Sequence, residues 1–268
     1  MQSPAPGAGF FMDGEPHVAP ARLVAHYCAE RGFAPADFGI TPVVLGTYAR
    51  ELTRFLAESA AAQPLERWAA WKGDGWRIDD AVTLITLPVG APATVAIIEE
   101  LIACGMHTLV TTGSAGSLQP SAPIGSIVVP TKAIREEGTS HHYAPHDAPA
   151  EAHPDVVALI VSRLERLGIP YARGMHWTTD AIYREHRQKV DLYRRVGVIT
   201  VDMELSAIYT VGTVLGVRCG AVVGVSDELH GETWEMGFAS DAMRRGMIKA
   251  GRVALYAALR LAGVEQEV

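Results

Sequence analysis

Apolar residues follow two alternating rhythms along the chain. Short continuous runs, Val43-Val44-Leu45, AVTLITLPV at 81–89 and TLVTT at 108–112, read as buried strands. GSIVVPTKAI, YARGMHWTT, VITVD and VRCGAVVGVSD have the same character further on. Between the runs, apolar positions recur three and four apart. In GAPATVAIIEELIACG, Val95, Ile98, Leu101 and Ile102 make one face, Pro92 sits near the first helical position and Gly105 marks the stop. This spacing also predicts helices over about 48–62, 155–167, 185–197, 203–216 and 237–262, and AWKGDGWRI reads as a hairpin turning at Gly73-Asp74-Gly75. The alternation predicts an α/β fold: a single domain with a central mixed, mostly parallel sheet and helices on both faces. Residues 1–35, with a Pro/Gly-rich start, read as an extension of uncertain order that is flexible or wraps a neighbour, and 36–268 as the domain proper.

With 268 residues, 49% of them apolar, the chain can bury one sizeable core. A net charge of −7 without a basic stripe excludes nucleic acid as a partner and points to a small molecule. Cys28, Cys104 and Cys219 are too few and too scattered for a disulfide or zinc framework and read as free thiols in a reducing compartment. No window reaches the ~18 apolar residues of a membrane helix, and MQSPAPGAGFFMDGEPH lacks a basic start and an apolar core, so a soluble cytoplasmic protein is expected. His141, His142 and His146 lack the spacing of a metal site, so no metal is expected. GxSxG, GxxxxGK[ST] and GxGxxG are absent, which argues against a hydrolase elbow, a P-loop and a dinucleotide fingerprint.

Chemistry in such a sheet gathers beyond the strand C-termini, here 112–118, 179–188, 226–234 and the junction 201–204. HTLVTTGSAGSLQP reads as a strand opening into a loop at Gly113–Ser117, small enough for a ligand to reach the main chain. In TVDMELSA, an acid at the start of a helix is either a cap or, at Glu204, a carboxylate that accepts hydrogen bonds from a vicinal diol. Asp227, in VVGVSDELHG, is either a turn former or a general acid kept protonated by an apolar pocket. WTTDAIYREHRQ offers apolar faces for a flat ligand and polar groups for its edge, or is a strand end leading to a solvated helix start.

In order and spacing, GAPATVAIIEELIACG, TLVTTGSAGSLQP, IGSIVVPTKAIREEGTSHHYAP, TTDAIY, VDMELSAI and VSDE resemble the nucleoside phosphorylase family, which includes uridine phosphorylase, bacterial purine nucleoside phosphorylase and methylthioadenosine/S-adenosylhomocysteine nucleosidases. The resemblance spans about residues 40–262. It implies an enzyme that splits the glycosidic bond of a purine or pyrimidine nucleoside with phosphate, needs no cofactor, and assembles as a homodimer or a homohexamer of three dimers. It assigns Met203 and Glu204 to the ribose and Asp227 to protonation of a purine. Gly46, Arg50 and Ser114 fall to phosphate, with Arg67 reaching a neighbouring subunit and Thr111 standing where phosphorylases carry arginine. Gly113, Ile182, His186 and Gln188 fall to the base. Loss of one bidentate arginine weakens phosphate binding about ten- to a hundredfold. Two alternatives therefore stay open: a nucleosidase in which Glu51 activates water, and a non-catalytic nucleoside-binding protein.

Overall fold

The computed structural model describes residues 10–12 and 14–265. The helices are α1 (Pro20–Ala29), α2 (Arg50–Ser59), α3 (Glu66–Lys72), α4 (Ala91–Ala103), α5 (Pro154–Arg166), α6 (Arg187–Arg195), α7 (Leu205–Leu215) and α8 (Asp241–Leu261). The strands are β1 (Val43–Thr47), β2 (Gln63–Pro64), β3 (Gly75–Ile78), β4 (Val82–Thr86), β5 (Thr108–Ser117) and β6 (Ile127–Glu136), then β7 (Ala150–Glu151), β8 (Tyr171–Thr179), β9 (Val198–Asp202), β10 (Arg218–Glu228) and β11 (Glu235–Met236).

All of these strands join one mixed sheet, ordered β11-β10-β6-β8-β9-β5-β1-β4-β3-β2, with β7 paired to β6 off this path. A further pairing of β10 with β5 closes β10, β6, β8, β9 and β5 into a ring. The inner pairs β1–β4, β1–β5, β5–β10, β6–β8 and β8–β9 are parallel, as continuous apolar runs require. Alternate residues feed two cores. Val44, Ala221 and Val223 pack in the cluster of Ile98, Leu101 and Ile208, whereas Val43, Leu45 and Val222 pack in that of Leu56, Val253 and Leu259. The helices on the two faces thus bury opposite sides of the same strands.

Three expectations are corrected. The stretch Gly113–Ser117 is not a loop but the second half of β5, which goes on pairing with β10 and, at Gly116 and Ser117, with β9. Its residues are small because neighbours press on the strand: a Cβ on Gly113 would lie 2.8 Å from the Tyr48 ring, and one on Gly116 2.5 Å from Leu229 Cδ1. Nor do residues 70–78 form a hairpin. Glu66–Lys72 is helical, with Trp68 buried and stacked edge-on to Phe38 and Trp71. The real hairpin is β3–β4, turning through Asp79 and Asp80, whose φ angles of 50° and 54° suit a turn with both central residues left-handed. The last helix begins at Asp241, not at Gly237, because Glu235–Met236 returns against β10 and the Ser240 side chain accepts the Met243 N–H as a cap.

The stretch read as an extension contributes α1, whose Val24 and Cys28 are buried in the core; residues 1–9 lie outside the described residues. Cys28, Cys104 and Cys219 carry free thiols, and burial pushes Cys104 and Cys219 up to about 12.

Helix α8 meets the ring backbone to backbone. A Cβ on Gly246 would stand 2.6 Å from the Gly125 carbonyl oxygen. Gly246→Ala gains about 1 kcal/mol of helix propensity, but overpacking against rigid backbone costs about 1–3 kcal/mol. The urea midpoint of G246A should therefore fall, and an unchanged or higher midpoint would show that α8 slides away without penalty.

Candidate active site

A cavity of about 460 Å³ opens where β5, β9 and β10 end. Gly113–Gly116 form one wall, the β9–α7 junction 201–205 another, and segments 182–190 and 226–238 supply the remainder, with Tyr48 and Val89 at one side.

At the junction the two acids divide the roles that sequence left open. Glu204 holds the N-cap position of α7 but Asp202 does the capping: its carboxylate accepts the Leu205 N–H at 3.0 Å and the Thr178 hydroxyl at 2.7 Å. His176 Nε2 lies 2.9 Å from the same carboxylate, and the other ring nitrogen is 2.9 Å from the Thr200 hydroxyl. Glu204 is free of that duty. It is 5% exposed, lines the cavity beside Met203, and accepts the Gly90 N–H at 2.6 Å and the Met203 N–H at 3.3 Å. Burial and, after it, the Asp202 charge push its carboxyl up to about 8, against the pull of the two N–H groups.

Asp227, 8% exposed, sits at the end of β10. Its surroundings are not purely apolar: Ser226 Oγ donates to one oxygen at 2.6 Å and the Trp234 indole N–H to the other at 2.7 Å. The return of β11 along β10, pairing Asp227 with Met236, brings Trp234 back over the carboxylate. Phe238 packs edge-on to Trp234, with ring centroids 5.9 Å apart.

The predicted phosphate group is only partly assembled. Ser114 and Thr111 line the cavity, whereas Gly46 lies inside β1 with its Cα under Leu87, where a Cβ would come within 2.4 Å of Cδ1. Arg50 and Glu51 are exposed in the first turn of α2, outside the lining. Arg67 lies on α3, 3.3 Å from Asp37 and 4.9 Å over the Phe33 ring. Thr111 Oγ1 and Tyr48 Oη are buried without a hydrogen-bond partner among the described residues. Burial, then the Glu204 charge, holds the Tyr48 phenol well above its ordinary range.

Of the predicted base contacts, Gly113 and Ile182 line the cavity, but His186 and Gln188 do not; both are exposed at the start of α6. Glu185 and Arg187 line it instead. The chain enters α6 through an extended His186 (φ −62°, ψ 140°), so its neighbours on either side turn one way and His186 the other. Burial, then the charges of Asp227 and Glu136, push Glu185 up to about 7, opposed by Lys189. Arg187 Nη1 donates to the Glu232 carbonyl at 2.6 Å, and it is the one Lys or Arg in the lining, beside Asp202, Glu204, Asp227, Glu185 and Glu232. Tyr48, Glu185, Arg187, Trp234 and Phe238 are the site residues that sequence reasoning missed. The last four fall in or just beyond the flagged strand-end loops, and Tyr48 had no such signal.

Among the described residues no group of three or more His, Cys, Asp or Glu is placed to hold a metal ion, and no helix is long and apolar enough to cross a membrane. The family model of the phosphorylase superfamily matches residues 43–260. The chain belongs to the phosphorylase superfamily. Among curated relatives in or near this superfamily, the uridine phosphorylase of Thermococcus kodakarensis is 32% identical over 157 residues, 54% of this chain and 57% of that protein. The guanosine phosphorylase of Halorubrum lacusprofundi is 29% identical over 148 residues, 55% of this chain and 61% of that protein. The matches thus span about three fifths of the relatives' length. Two solved structures share the fold: purine nucleoside phosphorylase from Toxoplasma gondii with immucillin-H (TM-score 0.77, 23% identity, 85% of this chain and 94% of that one), and AMP nucleosidase from Bacteroides thetaiotaomicron (TM-score 0.71, 22% identity, 91% and 98%).

A carboxyl that stays protonated in the fold, at about 8 against an ordinary 4.5, contributes stability that is complete below about 4.5 and lost as pH rises towards 8. The melting temperature of the ligand-free protein should decline across that window. Glu204→Gln should flatten the decline, leaving the smaller share from Glu185. Identical slopes in the two proteins would mean that Glu204 is ionised in the empty cavity.

Proposed function

We propose that this chain is a nucleoside phosphorylase, cleaving the N-glycosidic bond of a (deoxy)ribonucleoside with phosphate to give free base and (deoxy)ribose 1-phosphate. Breaking the bond between C1′ and the base nitrogen requires a leaving base that takes up a proton, a sugar held while positive charge grows at C1′, and a nucleophile beneath the ring. One observation carries the reading: Glu204 and Asp227, from separate strand ends, face a single cavity walled by the small residues of β5.

Glu204 accepts hydrogen bonds from the sugar hydroxyls, with Met203 packed beside it. Asp227 relays a proton, taken up from solvent, to the purine as the C–N electron pair withdraws into the base. Ser226 and Trp234 orient its carboxyl, each occupying one oxygen that retains another lone pair. The nucleophile sits by Ser114 and Thr111, where an oxygen of phosphate forms the new bond to C1′. Similarity to a uridine phosphorylase and a guanosine phosphorylase supports transfer to phosphate. A second reading, water as nucleophile, is favoured by the berth itself: hydroxyls of Tyr48, Thr111 and Ser114 line it, while Arg50 and Arg67 stand outside. Action in the cytoplasm as a homodimer or homohexamer, with Arg67 and Arg50 completing a phosphate site between subunits, belongs to the same proposal.

Incubation with inosine, adenosine, uridine and methylthioadenosine, with and without phosphate, should yield base and ribose 1-phosphate only when phosphate is present. Free sugar in its absence would favour water, and no product at all would leave a binding protein. Asp227→Ala should lower kcat on a purine nucleoside by roughly 10²–10⁴-fold, the range for general acid catalysis, with a much smaller change in KM. An unaltered kcat would remove Asp227 from the reaction.

A further inference from the structure

Resting on the reading that the cavity holds a nucleoside, we infer that Glu185 and Arg187 together read the edge of the base and select a 2-amino-6-oxopurine, the guanine pattern. Both side chains line the cavity two residues apart, Glu185 partly buried and Arg187 exposed. Glu185 is half-buried and has no hydrogen-bond or ion-pair partner among the described residues. Arg187 uses one guanidinium nitrogen on the Glu232 carbonyl at 2.6 Å and makes no other hydrogen bond among the described residues. A carboxylate only accepts and a guanidinium only donates. Side by side they demand a ligand edge with adjacent donors followed by an acceptor.

The guanine edge presents N2–H, N1–H and O6 in that order. Two parallel N–H groups match a carboxylate bidentately, and O6 takes the guanidinium. Hypoxanthine keeps N1–H and O6 but loses the amino group. Adenine turns a bare N1 towards the carboxylate. Uracil offers its single N–H between two carbonyls, so one oxygen of Glu185 would face an acceptor. Trp234 and Phe238, both partly exposed at the same cavity, supply apolar surface for a fused ring.

Ionisation fits this assignment. Glu185 is held near 7 by burial and by Asp227 on β10 and Glu136 on β6, with Lys189 on α6 opposing; Arg187 and Glu232 share its cavity. Two N–H donors favour the charged form, so affinity for the guanine edge rises as pH passes upward through about 7.

The test is equilibrium binding of guanosine, inosine and uridine without phosphate, beside turnover of all three with it. Guanosine should bind roughly ten- to a hundredfold more tightly than inosine, the worth of one charge-assisted hydrogen bond, and uridine more weakly still. Glu185→Gln should bring the guanosine-to-inosine ratio close to one, because the amide keeps an acceptor for one of the two N–H groups and turns a donor towards the other. Arg187→Met should weaken both purines by a similar factor, since both carry O6. Wild-type protein that binds uridine as tightly as guanosine, or a ratio that survives Glu185→Gln, overturns the assignment. The wild-type ratio alone decides if a variant does not fold. Selective binding of guanosine without turnover would support the base reading and sink the proposed reaction; turnover without preference for guanosine would do the reverse.

Discussion

The β9–α7 junction binds the architecture of the cavity to its chemistry. Within three residues it carries two acids, and a buried carboxylate is costly unless its oxygens are satisfied. Asp202 meets that cost with the first N–H of α7, that of Leu205, and the hydroxyl of Thr178 on the parallel neighbour strand. Because Asp202 takes the cap, Glu204 is left with Gly90 N–H from the turn into α4 and with Met203 N–H. It therefore faces the cavity with unused accepting capacity and with a carboxyl that burial and Asp202 keep largely protonated at neutral pH. A ligand that brings hydroxyl donors can supply what the fold withholds.

The rest of the cavity has the same logic of unfilled capacity. Among the described residues, Tyr48 Oη and Thr111 Oγ1 are buried without a hydrogen-bond partner, and Glu185 makes no hydrogen bond or close ion pair, with Lys189 only a more distant charge. The lining is strongly acidic, with Arg187 as its only Lys or Arg. Such a field favours neutral ligands rich in donors and disfavours an unaccompanied phosphate. Arg50 and Arg67, which the proposed phosphate site would need as a counterweight, lie outside the lining. The ring made by β10 closing on β5 makes this arrangement rigid, since the ends of β5, β9 and β10 are tied through pairings rather than through loops.

Much of this was legible in the order of residues, and the parts that were not have physical reasons. Buried parallel strands appear as unbroken apolar runs, so Val43–Leu45 and Val82–Thr86 announce their places. Gly113–Ser117 does not, because glycine and serine resemble a loop wherever they occur; only the pressure of Tyr48 and Leu229 and the continued ladder with β10 show why small residues stand in a strand. Glu204 was readable either as a cap or as a diol-binding carboxylate, and the choice depended on Asp202 reaching the Leu205 N–H in its place. His186 and Gln188 were misplaced by a single residue of register, since an irregular turn has no periodicity to say which side chains face inwards. Trp234 was out of reach for another reason: its contact with Asp227 exists only because β11 folds back along β10, a two-residue pairing without a pattern of its own.

The most direct test of Glu204 as the clasp of the sugar is the proton balance of binding. Calorimetric titration of a ribonucleoside at pH 7, without phosphate and in buffers of different ionisation enthalpy, counts the protons exchanged. A carboxyl near 8 in the empty cavity that must ionise to accept two hydroxyls releases roughly one proton on binding, and Glu204→Gln lowers the total release by that amount, leaving the part that comes from Glu185. Equal proton exchange by wild type and variant would place the sugar elsewhere.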